Sequence, residues 1–180
     1  GFGVREQSAE FQGMSFAGSA ASGGGLSAMF WNSAAAAFAP AGLYSESHAA
    51  VIFPSAEITA QPGSTLAGIL PSSSGDIGKD AIVPASYMSY RLDSGLVLAL
   101  STNSPFGLVT EPENRFWAGQ THTRTSEIKT YNFTPTLAYR VTPLIAVGVG
   151  LQIDYMTARL KNASGVTATS QNIVIEGEDT

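Results

Sequence analysis

The side chains able to do covalent or proton-transfer chemistry are few, and their spacing suits none of it. His48 and His122 are the only histidines, and they form no His-x-x-x-His or other metal-ligand spacing. Cysteine is absent, which removes thiol nucleophiles, thiolate metal sites and disulfides. There is no Gly-x-Ser-x-Gly elbow. The glycine-rich "GSAASGGG" at 18–25 lacks the Lys-Ser/Thr that would make it cradle phosphate. His122, in "GQTHTRT", reads as an exposed loop residue, and Asp154 as a single carboxylate with no partner for acid–base work. The set implies no catalysis, no metal and no cofactor. The oddest stretch is unreactive: in "STNSPFGLVTE", 101–111, a strand-like alternation runs into Pro105, Phe106 and Gly107. Proline cannot donate to a sheet ladder and glycine has no side chain to pack, so the strand should break there.

Only 13% of the 180 residues are charged, about half the usual share for a soluble domain. The net charge is −5 and no Lys/Arg cluster occurs, so a nucleic-acid footprint is absent. No run approaches the 18 consecutive apolar residues of a membrane helix, which leaves a membrane β-barrel open.

The first 45 residues carry no strand alternation, and glycines at 23–25 disfavour a long helix. Phe2, Phe11, Met14, Phe16, Leu26, Met29, Phe30, Trp31 and Phe38 are too many large apolar groups for a solvated tether. A compact, irregular piece packed inside something is the better reading.

From about residue 47 the period becomes two. Strands are expected near 47–60, 81–92, 95–108, 126–140 and 143–160. In the last, Ile145, Val147, Val149, Leu151, Ile153 and Tyr155 make one apolar face, while Ala146, Gly148, Gly150, Gln152 and Asp154 make the other. In the fourth, Tyr131, Phe133, Leu137 and Tyr139 oppose Thr130, Asn132, Thr134, Thr136 and Arg140. A half-buried soluble sheet also alternates. Here, though, the polar face lacks Lys and Glu, and tyrosines stand near the ends of the apolar faces, where an interfacial girdle belongs. Tight turns at 93–95 and 141–143 alternate with long links at 61–80, 109–126 and beyond 161, the loop pattern of an outer-membrane barrel.

The segments "GMSFAGSAASGGGLSAMFWNSAA", "SPFGLVTE" and "FWAGQTHTRTSEIKTYNFTPTLAYRVTPLIAVGVGLQIDYMTARL" follow one another in an order that resembles the long-chain fatty acid transporter (FadL-type) family of outer-membrane proteins. The resemblance implies an all-β, antiparallel 14-stranded transmembrane barrel. Residues 1–45 would be its N-terminal hatch, or plug, and 46–180 the first five strands of its wall. It implies passive passage of long-chain fatty acids or other hydrophobic molecules, such as small aromatic hydrocarbons. These would leave sideways into the membrane through a kink in the third strand, at Pro105, Phe106 and Gly107. The surroundings would be outer-membrane lipid and lipopolysaccharide.

Breaking a ladder in lipid strands backbone groups at several kcal/mol each, so something inside must satisfy them. Asn32, in the hatch run Asn32-Ser33-Ala34, is the expected partner of the kink; the family has Asn-Pro-Ala there. Phe2 matches the terminal hatch segment that reaches the internal ligand site, or serves simply as plug packing. Arg159 and Lys161 are possible contacts for a carboxylate head group, although Arg159 has lipid-face parity and also reads as a rim residue. Five strands cannot close, so the remaining wall is expected from a longer chain or from other chains. A non-transporting surface β-domain, structural or adhesive, and a barrel enzyme are the alternatives.

Overall fold

A computed structural model describes residues 3–21, 24–64, 66–167 and 170–180. Ten strands follow an irregular N-terminal segment: β1 (Gly42–Ile52), β2 (Glu57–Thr59), β3 (Ser73–Asp76), β4 (Ala81–Arg91), β5 (Leu96–Asn103), β6 (Gly107–Thr110), β7 (Thr125–Arg140), β8 (Ala146–Gly150), β9 (Ile153–Ala163) and β10 (Asn172–Asp179). All but β2 and β3 belong to one antiparallel sheet in the order β1-β4-β5-β7-β9-β10, with β6 and β8 also paired to β7.

The strands β5 and β6 are two halves of one wall strand, as are β8 and β9. Leu151 N–H donates to the Pro135 carbonyl at 3.1 Å, but Pro135 has no N–H to return. The register is unchanged on either side, Thr136 facing Gly150 and Phe133 facing Ile153. The wall therefore has six strands among the described residues.

The sheet is inside out relative to a soluble one. Along β7, Thr130, Asn132, Thr134 and Thr136 are buried, while Tyr131, Phe133, Leu137 and Tyr139 are exposed. Along β4, Val83, Ala85, Tyr87 and Ser89 are buried, while Ile82, Met88 and Tyr90 are exposed. Ile82 is 71% exposed and Val149 67%; a contiguous apolar face of this kind is covered by something other than water. Tyr131 and Tyr155 are directly paired toward the long-loop end, and Tyr139 lies toward the turn end. Eight residues at about 3.4 Å separate Tyr131 from Tyr139 along the strand, roughly 27 Å and close to the height of an apolar band tilted in a bilayer. Beyond Tyr131 and Tyr155 come the ion pairs Lys129–Glu127 and Arg159–Glu176, at the edge of that band.

The concave side holds the N-terminal segment. It contains α1 (Ala9–Gly13) and two 3-10 turns, Leu26–Phe30 and Ser33–Phe38. Among the large apolar groups that argue against a tether, Trp31 meets Phe11, Phe16 and Phe30 edge-on at 5.5, 6.0 and 5.1 Å. Toward the wall, Leu26, Met29, Ala36, Ala37 and Ala39 join Ala85, Tyr87, Val97, Ala99 and Ala138, with Phe30 and Phe38 packed against them.

Polar pins fix the segment to the wall. Glu46 of β1 accepts from the N–H groups of Leu26 and Ser27, Tyr87 donates to the Gln7 carbonyl at 2.8 Å, and Arg91 donates to the carbonyls of Ala37 and Ala39.

Two strand expectations are corrected. The first strand is Gly42–Ile52 rather than 47–60, because inward Tyr44, Glu46 and His48 disguise its start and Pro54 ends it. Residues 57–59 belong instead to a small hairpin with 73–76. The chain beyond 161 is not one long loop: β9 runs to Ala163 and the chain returns as β10, a sixth wall strand. The tight turns stand as expected. Gly95, at φ +84°, closes the one at 92–96, and the Thr142 side chain caps the other by accepting from Leu144 and Ile145.

Candidate functional site

The seam between β4 and the third wall strand is closed at both ends and open in the middle. At the turn end β4 pairs with β5 from Arg91↔Val97 up to Ser86↔Thr102. At the loop end Gly78 bridges Thr110, and Glu111 N–H donates to the Ile77 carbonyl at 3.0 Å. Both ends keep the same residue offset, Ser86 facing Thr102 at one and Gly78 facing Thr110, eight residues away along each strand, at the other. Between them residues 79–85 and 103–109, seven on each side, form no ladder with each other. Meanwhile β4 stays paired to β1 down to Ala81↔Ile52, and β6 stays paired to β7. A cavity of about 750 Å³ occupies this window. Its lining takes in Ile82, Pro84 and Tyr131 from the outer face of the wall and Val83, Asn103 and Asn132 from the inner face, together with Val4 of the N-terminal segment. Two lysines line it, and both are ion-paired: Lys79 with Glu111 at 3.9 Å and Lys129 with Glu127.

The interruption at Pro105 has a definite geometry. Asn103 faces Asn132 and Gly107 faces Lys129, so three residues, 104–106, stand opposite two, 130 and 131. That is a β-bulge, and the one-residue slip turns the strand over. The stranded groups are satisfied locally. One hydroxyl serves both polar groups of Phe106: Thr130 Oγ1 accepts from the Phe106 N–H at 2.9 Å and donates to the Phe106 carbonyl at 2.7 Å. Ser104 Oγ donates to the Thr130 carbonyl.

The N-terminal segment supplies further partners. Val4 N–H donates to the Pro105 carbonyl at 2.8 Å, Gln7 Nε2 donates to the Ser104 carbonyl at 2.8 Å, and Gly3 bridges Phe106. Where β4 would lie in an unbroken wall, the chain's own start takes its place.

This corrects the expected role of Asn32. Its Oδ1 accepts from Ala34 N–H at 3.0 Å and its Nδ2 donates to the Ala20 carbonyl at 2.9 Å, so it caps the second 3-10 turn, and among the described residues its side chain makes no hydrogen bond to 104–107. Ser33 and Ala34 dock on the wall instead. A Cβ at Gly148 would lie 2.5 Å from Ala34 N and Ser33 C, which is why that strand carries glycine there. Phe2 lies outside the described residues. Pro105 and Phe106 sit in the bulge. Gly107 follows it without a positive φ, and a Cβ there would meet nothing nearer than 3.8 Å. Arg159 pairs with Glu176 on the outer face, Lys161 stands opposite Thr125 and Val174, and neither lines the cavity. Arg140 donates to the Pro143 carbonyl and lies 4.8 Å over the Phe38 ring. Asp154 accepts from Asn132 at 2.9 Å, and His122 is exposed.

Sequence reasoning missed Gln7, Val4, Thr130 and Pro84. The first three carry no local signal, because each acts on a residue far along the chain. A proline inside the clear alternation of β4 is the one mark that an open edge was present.

A family model described as "Outer membrane protein transport protein (OMPP1/FadL/TodX)" matches residues 1–180. Among solved structures, the crystal structure of a Pseudomonas aeruginosa FadL homologue superposes with a TM-score of 0.69 at 17% identity, covering 99% of this chain and 47% of that one. At that identity the likeness is one of fold, and the chain spans about half the length of the structure it matches. No curated protein matches the sequence. With the family model covering all 180 residues and an inside-out sheet wrapped around its own N-terminus, this chain belongs to the outer membrane protein transport family (OMPP1/FadL/TodX), a family of outer-membrane proteins.

Proposed function

We propose that this chain forms the hatch and the gated part of the wall of a passive transporter, which lets long-chain fatty acids or other hydrophobic molecules cross the outer membrane by lateral diffusion. Residues before β1, up to about 41 rather than 45, act as the hatch and the strands from Gly42 onward as the wall. The observation that carries the reading is the window: a register-matched seam with seven unpaired positions on each side, and a cavity lined from both faces of the wall.

The physics favours such a route. Each methylene exposed to water costs about 0.8 kcal/mol, so an acyl chain gains by staying on apolar surface from lumen to bilayer. Ile82, Phe106, Leu108, Tyr131, Phe133 and Ile153 provide that surface around the opening. The bulge at Ser104-Pro105-Phe106 turns the third wall strand over beside the opening. Uptake of a fluorescent or radiolabelled hydrophobic probe by cells carrying the intact protein tests the reading. Leu108→Trp, which fills the cavity, is expected to cut uptake by ten-fold or more with the barrel still folded, and uptake equal to wild type would refute it.

A non-transporting surface β-domain fits the wall poorly. Such a domain would bury its apolar face, whereas here Thr and Asn are inside and Leu, Ile and Tyr outside.

A further inference from the structure

The bulge turns the third wall strand over beyond Phe106, which keeps residues 107–109 from laddering with 79–81, but it leaves Ser104 on the near side, still opposite residue 84 in the register of β4 and β5. Continuing the register places Ala85 opposite Asn103, Pro84 opposite Ser104, Val83 opposite Pro105 and Ile82 opposite Phe106. The pair Pro84 and Ser104 sits two steps beyond the last one formed, Ser86↔Thr102.

We propose that Pro84 is the positioning residue that keeps the window from closing, by withholding the one backbone donor that would take the Ser104 carbonyl, which the Gln7 side chain takes instead. The proposal rests on the lateral-exit reading above and names what sustains the opening.

The direction in which Pro84 points follows from this same sheet. At Pro135 the ladder with β5 continues unbroken, Leu100 facing Pro135, while on the other side strand character lapses at residues 151 and 152. The missing N–H of Pro135 therefore faces β8 and β9. At Pro84 the ladder with β1 continues unbroken from Arg91 to Ala81, Ala49 facing Pro84. By the same token its missing N–H faces the seam. Proline in a sheet interior is otherwise confined to edges whose donor side has no partner, and Pro84 sits on such an edge only because the window exists.

The acceptor it would have met is occupied: Gln7 Nε2 donates to the Ser104 carbonyl at 2.8 Å and to the Val4 carbonyl at 3.1 Å. Strand 79–85 and the N-terminal segment are thus alternative partners for the same stretch of the third wall strand. Proline at 84 disables one of them, so the window survives even when the N-terminal segment moves.

The test uses the intact protein in outer membranes, with uptake of a hydrophobic fluorescent probe, amide exchange of peptides covering 81–85, and heat-dependent gel migration to show a folded barrel. Pro84→Val and Pro84→Ala each restore the donor. Combined with Gln7→Ala, which vacates the acceptor, either is expected to slow exchange at 81–85 by ten-fold or more and to lower uptake at least five-fold, while Gln7→Ala alone does neither. Leu108→Trp is run beside them, because it obstructs the cavity whether or not the seam can zip. If the Pro84 double variants fold, and uptake and exchange stay at the Gln7→Ala level while Leu108→Trp blocks uptake, the role of Pro84 is overturned and the lateral route stands. If Leu108→Trp also leaves uptake unchanged, the route itself fails and the inference with it.

Discussion

Gln7 and Ser104 are joined by a hydrogen bond of 2.8 Å between a side-chain amide and a main-chain carbonyl 97 residues along the chain. Buried Gln7 also donates to Val4 and holds Tyr87 through its own carbonyl, so one residue ties the chain's start to the broken strand and to β4 just beyond the window. Gln7→Ala is expected to raise amide exchange at residues 3–7 by ten-fold or more with the barrel still migrating as folded. Unchanged exchange would mean that the Val4 and Gly3 contacts suffice.

Thr130 replaces two ladder bonds with one hydroxyl. Thr130→Val keeps the shape and leaves both the N–H and the carbonyl of Phe106 without that partner, at about 1–3 kcal/mol for each group that stays dry. Thr130→Ser keeps the hydroxyl. Urea unfolding in detergent is expected to show the valine variant less stable by about 2 kcal/mol or more and the serine variant within about 1 kcal/mol of wild type. Equal stability of all three would remove Thr130 from the account of the bulge.

Two glycines give opposite expectations. At Gly148 an added methyl would lie 2.5 Å from the Ala34 and Ser33 backbone, whereas at Gly107 it meets only Ile128 O and Val4 Cγ2 at 3.8 Å. Gly148→Ala is expected to lower stability by about 1–3 kcal/mol, as overpacking does. It should also speed exchange over residues 33–38. Gly107→Ala should stay within about 0.5 kcal/mol. The reverse order would mean that glycine at 107, rather than the bulge and its partners, shapes the strand.

Asp76, in the hairpin outside the wall, accepts from Gly78 N–H at 2.8 Å and Ala56 N–H at 3.1 Å, and these bonds, Gly78 first, hold its carboxyl below the usual carboxylate range. A group whose folded value is lowered stabilises above its unfolded value, about pH 3.9, and loses that contribution as pH falls through the folded value. Exchange over 54–78, corrected for its intrinsic pH dependence, is expected to be flat from pH 7 to 5 and to rise below about pH 4. Asp76→Asn should abolish the step. A step that persists in that variant would assign it to another group.

The sequence made much of the wall legible because a membrane wall writes its period on both faces: Tyr131-Phe133-Leu137-Tyr139 against Thr130-Asn132-Thr134-Thr136 needs no partner to be read. The start of β1 was hidden, since Tyr44, Glu46 and His48 point inward to pin the N-terminal segment and so break the apolar pattern. β10 was hidden because "NIVIEGED" has acids where an apolar face should continue. The break at Pro105 was legible from proline chemistry alone. What fills the break was not, because Gln7 and Thr130 meet it only in space, and Asn32, which looked suited to it, is used up in capping its own turn.

The lateral opening is tested most directly by closing it. Val83 and Pro105 face one another across the window when the register is continued, and the chain has no cysteine of its own. Uptake of a hydrophobic probe would be measured with Val83→Cys/Pro105→Cys, oxidised and then reduced, in the intact protein in outer membranes, with gel migration reporting a folded barrel in both states. The account predicts that uptake falls to background when the disulfide forms and returns on reduction. Undiminished uptake with the disulfide fully formed would contradict exit through the wall.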